Sequence, residues 1–420
     1  MVAVVLAYKS KVKYNDNITR DKDGIVILIS LSKYMRAILE GEVCEVLNVK
    51  LKWIEFENLR TGLKIERIAF NEDITLLVGL SGVGKTQILN AIEYSMKLAV
   101  NKNLRLEPYE VSVCFQIGEE EYVWSYKIQQ DYAEDIIESK EIKYCFVYEK
   151  LQNSKSGILM QRTPDAIEVA GYDKVPTPKK DESLLVQYSE DSFVKPIISE
   201  MSKLYPIEIE IDVRGAIPQD SFNMFKAKIK DSFKEKEKPP FEKFSHLPVP
   251  LKLYITKEYY PDMYAQIFSA VKELFMEINN IDIIEDYARE LYMVAIDVYG
   301  KKLMQHEISN GMLKTIYYIV ELITMSANSL VLIDEFENGL GVNCIDVLAE
   351  LLLSERKDLQ FIITSHHPKI INQISNRKWK IIERNIATVK NSTAEEYGIM
   401  HSQHDAYFNL INRWEYEGKI

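Results

Sequence analysis

Cysteine is scarce. Four residues in 420, Cys44, Cys114, Cys145 and Cys344, are scattered along the chain with no C-x-x-C pair. That excludes a disulfide-stapled scaffold and reads as reduced, mostly buried thiols. Long apolar runs are missing too. None approaches the roughly 20 residues that cross a bilayer, and the longest near the start, Ile25–Leu31, is closed by Gly24 and Lys33. The start has no basic stretch followed by a long apolar one, so no signal peptide is expected; the reading is cytoplasmic, with no membrane partner. Positive charge is in deficit, with 52 Lys and Arg against 63 Asp and Glu and a formal net charge of −11. Such a chain does not coat nucleic acid, though a local basic patch could hold DNA. Internal repeats and long heptad arrays are also absent.

What is present is ordinary globular composition, 47% hydrophobic and 27% charged, in a length suited to two or three domains. Residues 1–48 hold two short apolar runs around a polar stretch and read as an N-terminal extension of uncertain status. From 49 to 180 the pattern is β-rich. Leu51–Phe56 and Ile65–Phe70 form a hairpin, Asp73–Val78 suits a buried strand, and a helix follows from Lys85 to Val100. Residues 108–128 alternate as strands do. From 181 to 300 helical spacing takes over, in Leu184–Tyr188, Phe193–Leu204, Phe222–Phe233 and Tyr264–Asn279. From 301 to 390 helices (Met312–Met325, Asn343–Ser354) alternate with strands (Leu330–Ile333, Phe361–Thr364), which argues for a parallel, helix-covered sheet. A tail, 391–420, ends in Phe408, Leu410, Ile411, Trp414 and Tyr416, a docking surface or a last core helix.

Four motifs carry chemistry. Gly79-Leu80-Ser81-Gly82-Val83-Gly84-Lys85-Thr86 fits G-x-x-x-x-G-K-[ST] between a strand and a helix. Gly79, Ser81, Gly82 and Gly84 let backbone N–H groups face a phosphate at a helix N-terminus. Lys85 reaches the β- and γ-phosphates of ATP, and Thr86 ligates Mg²⁺. Leu330–Ile333 ends in Asp334, a Mg²⁺ ligand through water, and Glu335, which polarises the attacking water. Ser309-Asn310-Gly311 opens the helix before that strand and offers a hydroxyl and free N–H groups to an anion. Finally, Phe361–Thr364 runs into Ser365, His366 and His367, where a neutral imidazole, His366 for preference, could contact the γ-phosphate.

In this order the four motifs resemble the ABC-type ATPases of the SMC/RecF group. The resemblance implies an α/β fold, an ABC-type P-loop ATPase head with a mixed sheet and an inserted, mainly helical subdomain. It implies a head-to-head dimer or higher homo-oligomer in which Ser309 and Gly311 act in trans on the partner's nucleotide. Asn58-Leu59-Arg60 resembles the N-F-R-S of such proteins and makes Arg60 a nucleotide contact. The signature departs from Leu-Ser-Gly-Gly-Gln, Gly341 replaces the usual terminal Asp or His of the loop after the acids, and Gln116 is only a candidate for the Q-loop glutamine. The run Asp-Glu-Phe-Glu-Asn-Gly-Leu is most similar to stand-alone anti-phage ATPases, the PARIS AriA and Septu PtuA type. Those work with a separate nuclease or toxin effector and a phage-derived trigger. Two other functions stay open: a RecF-like repair ATPase on duplex DNA, and a nucleotide-binding scaffold with negligible turnover. The lysines of Lys226–Lys243 and the pair His401 and His404 read as solvated surface.

Overall fold

The computed structural model describes residues 19–20, 26–27, 49–101, 104–131, 142–175, 177–206, 216–232, 247–399 and 403–416. The chain divides into two units. The smaller, residues 1–48 with 235–238, is described only at an antiparallel pair, Thr19–Arg20 with Val26–Ile27. The expected N-terminal extension and most of the lysine-rich stretch therefore lie outside the described residues.

The larger unit is built on a mixed sheet of thirteen strands. Its first strands, β1 (Val49–Asn58) and β2 (Leu63–Ala69), form the expected hairpin. Strand β3 (Ile74–Val78) is buried at every position, as a strand covered on both faces must be. The helix α1 (Lys85–Val100) follows it. An antiparallel meander then extends the sheet from β1 through β4 (Tyr109–Ile117), β5 (Glu120–Gln130), β6 (Tyr144–Asn153), β7 (Gly157–Arg162) and β8 (Ile167–Val169). Trp124 and Tyr126, both fully buried, anchor this wing.

The middle of the chain is less helical than its spacing implies. Helices α2 (Leu184–Gln187), α3 (Lys195–Met201), α4 (Gln219–Ser232) and α6 (Pro261–Leu274) form within or beside the stretches of helical spacing, and α5 (Val249–Tyr259) is a further helix that the spacing does not mark. Helix α6 stops at Leu274, however, and residues to Asn279 are not helical. Strands β11 (Ile278–Asp286), β12 (Leu291–Val298) and β13 (Lys301–Met304) make a second, antiparallel sheet. The short β10 (Ile217–Pro218) completes it, while β9 (Leu204–Pro206) joins the edge of the large sheet.

The remaining elements complete the large sheet. They are α7 (Asn310–Thr324), β14 (Leu330–Ile333), α8 (Val342–Glu350), β15 (Gln360–Thr364), α9 (Pro368–Gln373), β16 (Trp379–Asn385), β17 (Thr388–Thr393) and α10 (Gln403–Tyr416). Strand β15 lies between β14 and β3, parallel to both, and β16 runs parallel along the other edge of β3. In α10, Ala406, Leu410 and Trp414 join the main core, so the tail is a last core helix, with Phe408 and Tyr416 left exposed. No helix among the described residues is long and apolar enough to cross a membrane.

Candidate nucleotide site

Three neighbouring parallel strands, β14, β15 and β3, deliver their carboxyl ends to one side of the sheet, where ligands of open α/β sheets bind. After β3 the chain turns through residues 79–84. A Cβ on Gly79 would stand 2.5 Å from the Ile382 carbonyl of β16, and Gly84 adopts φ 109°. No other residue type fits either position without strain. Gly84 is also the N-cap of α1, with no capping side chain and no acid in the first turn. The first amides of the helix are thus left for a ligand. Lys85 is buried, and its ammonium donates to the Gly79 and Leu80 carbonyls, 2.9 Å each. Burial lowers its pKa to about 8, against the opposing pull of Asp334, Glu335 and Glu337.

The cleft, about 210 Å³, is lined by Ser81, Gly82, Gly84, Lys85, Thr86 and Gln87 from the loop and helix. Asp334 and Glu335, beyond β14, and Thr364 and His366, at the end of β15, face it from the other side. Thr364 went unnoticed in the sequence, yet it organises the acids. Its hydroxyl donates to Asp334 Oδ1 at 2.5 Å and accepts the Glu335 N–H at 2.7 Å. Its carbonyl accepts the Phe336 N–H at 3.1 Å. Glu335 has φ 45°, a left-handed conformation that costs a non-glycine residue roughly 1–3 kcal/mol and persists only when neighbours enforce it. The one available signal is a polar residue closing the apolar run Phe361–Ile363 two positions before His366.

His366 lines the cleft, and burial together with the nearby Lys85 charge lowers its pKa. Both effects favour the neutral imidazole, against the opposing pull of Glu337, Glu335 and Asp334. His367 turns to a different task, its Nδ1 accepting the Lys369 N–H as N-cap of α9. Asn338, also missed in the sequence, donates from Nδ2 to Glu335 Oε2 at 3.4 Å.

Ser309 and Gly311 stand outside this cleft. Ser309 is exposed and caps α7, its hydroxyl accepting the Met312 N–H at 3.3 Å, worth about 1 kcal/mol to the helix. Gly311 packs on the loop after the acids, where an added Cβ would lie 3.3 Å from the Gly339 carbonyl. One turn on, Lys314 donates to the Asn338 carbonyl. The signature helix and the loop after Glu335 are thus in contact within one chain. Farther along α7, Glu321 pairs with the buried Lys252 of α5 at 2.5 Å. Arg60 and Gln116 are not brought to the cleft. Arg60 is largely exposed and pairs with Glu107 at 3.5 Å, and Gln116 donates to the Gly118 carbonyl at the β4–β5 turn.

The donor set fits a nucleoside triphosphate with its cation. Free helix amides and an ammonium suit phosphate oxygens, and the Thr86 hydroxyl and Asp334 carboxylate in the same cleft are the hard oxygen ligands that Mg²⁺ takes.

Topology and site together give a mixed α/β fold in which a phosphate-loop motif, an acidic strand end and a histidine turn meet at one cleft. A family described as "AAA domain, putative AbiEii toxin, Type IV TA system" matches residues 217–372. The match takes in the signature, the acids and both histidines but not the phosphate loop, and covers less than half of the chain. No curated protein matches the sequence. Among solved structures, the chain is similar to an Smc head bound to the C-winged helix domain of ScpA, at 12% identity and TM-score 0.40, over 81% of this chain and 97% of that one. It is similar to a Pyrococcus furiosus Smc head with an extended coiled coil, bound to the C-terminal domain of ScpA, at 10% identity and TM-score 0.42, over 83% and 98%. A Thermotoga maritima SMC head domain gives 13% identity and TM-score 0.35, over 82% and 98%.

Proposed function

We propose that this chain binds ATP with Mg²⁺ and hydrolyses it as a switch, closing into a head-to-head dimer when ATP is bound. The observation that carries the reading is the convergence of Lys85, Asp334, Glu335 and His366 on one cleft at the ends of three adjacent parallel strands. Lys85 and the first amides of α1 hold the phosphates. Thr86 and Asp334 hold Mg²⁺, which when bound neutralises charge on the transferred phosphoryl group. Glu335 orients and polarises the attacking water, and neutral His366 contacts the γ-phosphate. Ser309, exposed, and Gly311, half-buried against the loop after the acids, both lie outside their own chain's cleft and are placed to meet the nucleotide of a second copy.

The finer role follows the same logic. A switch ATPase controls something else, and here that is a separate nuclease or toxin effector in bacterial anti-phage defence, released on a phage-derived trigger. The partial match to a family described by a toxin and a toxin–antitoxin system supports this reading.

Glu335→Gln tests the core of it. The variant keeps the cleft but loses the carboxylate, so it is expected to retain ATP and run as a dimer on a sizing column. A variant that stays monomeric with ATP bound speaks against the head-to-head switch.

A further inference from the structure

The acidic run after β14 has a third carboxylate, Glu337, to which the scheme above gives no part. It follows Phe336, which is buried and packed edge-on against Tyr318 of α7 at 5.6 Å. Glu337 Oε1 accepts the backbone N–H of His366 at 2.6 Å. The carbonyl of that same residue accepts the Tyr407 hydroxyl of α10, at 3.5 Å. The His366 peptide is therefore held at both ends, from the loop after Glu335 and from the last helix. Just beyond it, Asp346 of α8 takes Lys369 at 2.5 Å and Gln373 at 2.9 Å, so α9 is tied to the helix that follows the same loop.

We propose that Glu337 is a positioning residue that sets where His366 stands in the cleft. Its consequence for turnover rests on the ATPase reading above; the contact itself does not. A carboxylate is more than an amide acceptor requires. Its second oxygen, Oε2, is buried and makes no hydrogen bond among the described residues, an arrangement that costs stability. The charge is placed where the field of Lys85, Lys314 and the His366 ring is felt, since each of those groups responds to it. Glu337 thus links the loop that carries Glu335 to the turn that carries His366, and the two catalytic groups move as one piece. A shift of about 1 Å in a reacting group lowers rates by roughly a hundredfold, so a loosened His366 acts on the chemical step and not on nucleotide affinity.

The experiment compares Glu337→Ala and Glu337→Gln with the unaltered chain, by three measurements. Amide exchange of residues 361–371 without nucleotide reads the contact. ATP affinity reads binding, and single-turnover hydrolysis reads chemistry. Glu337→Ala is expected to speed exchange of the His366 amide and to slow hydrolysis by about tenfold or more, with ATP affinity within about twofold. Glu337→Gln keeps an acceptor and is expected to restore both exchange and rate to within about threefold. Unchanged exchange, an equal loss of affinity and rate, or a glutamine variant as slow as the alanine variant overturns the proposal. If Glu337→Ala does not fold, the glutamine variant decides, and a loss of its hydrolysis counts against positioning. If the unaltered chain binds ATP but does not turn it over, the ATPase reading fails, and amide exchange alone decides for or against the contact.

Discussion

Glu335 needs its left-handed backbone held, and Thr364 is what holds it. One hydroxyl spends its proton on Asp334 and its lone pair on the Glu335 N–H, so the groups proposed to hold the metal and polarise the water share a single support. Thr364→Val preserves shape in a fully buried position and removes only the hydroxyl. It is expected to lower turnover by tenfold or more, on the order of 1.4 kcal/mol, while Thr364→Ser stays within about threefold. Turnover equal to the unaltered chain in the valine variant contradicts that role. Lys85 gives a second prediction at this scale. Its pKa is near 8 in the free protein, so it is charged below that pH and loses its proton above it. Phosphate favours the charged form, so binding above pH 8 takes up a proton and affinity falls as pH rises, by up to about tenfold per unit. Calorimetry at pH 8.5 in buffers of different ionisation enthalpy reads the proton directly; affinity that is flat from pH 7 to 9 rules the idea out. The sequence shows Lys85, Asp334, Glu335 and His366 because each stands in a contiguous motif. Thr364 and Glu337 matter through contacts between segments roughly 30 residues apart, and Asn338 through a local contact with Glu335; all three stand in runs the sequence shows, but their roles depend on partners that spacing does not reveal.

Among the elements, burial decides what is legible. Strands β3, β14 and β15 are short apolar runs punctuated by glycine or acids, and each forms where its composition places it. The end of α6 was misread because Ile267, Val271 and Ile278 keep helical spacing across the helix end at Leu274. Ile278 in fact begins β11, which pairs with the strand that follows it, β12, in an antiparallel hairpin. The second sheet and α5 matter to the site through α7, whose start carries Ser309. Lys252 of α5 and Glu321 of α7 are paired with little solvent around them, and burial pushes the Glu321 carboxyl upward. Lys252→Met leaves that carboxylate without its counter-ion and is expected to cost about 3–5 kcal/mol in denaturant unfolding. Adding Glu321→Leu to the same chain should recover most of the loss; a double variant no more stable than the single one rules out the pair as the cause.

At the scale of the whole molecule, the separation of Ser309 from its own cleft makes a prediction that no single-chain mechanism shares. In a two-fold dimer the same surface is used by both partners, so each nucleotide meets the other chain's signature. Lys85→Ala removes a chain's own nucleotide site but leaves its signature intact. Ser309→Arg does the reverse, placing a bulky side chain where the partner's nucleotide would come. Each variant alone has no complete site and is expected to be inactive. In a mixed dimer one composite site loses both halves, and the other, joining the phosphate loop of the Ser309→Arg chain to the signature of the Lys85→Ala chain, is whole. Random mixing puts half of the dimers in this state with one working site of two, so ATPase activity is expected to return to about a quarter of the unaltered level. Lys85→Ala combined with Ser309→Arg in one chain, mixed with the unaltered protein, serves as the control: each mixed dimer then has two half-damaged sites, so activity is expected at about the quarter carried by unaltered homodimers, where sites contained within single chains would give about a half. Recovery when the two single variants are mixed, with the control at about a quarter and not about a half, requires that the site be shared. No recovery when the two single variants are mixed places Ser309 in a purely structural role, as the cap of α7 that its bond to Met312 already makes it.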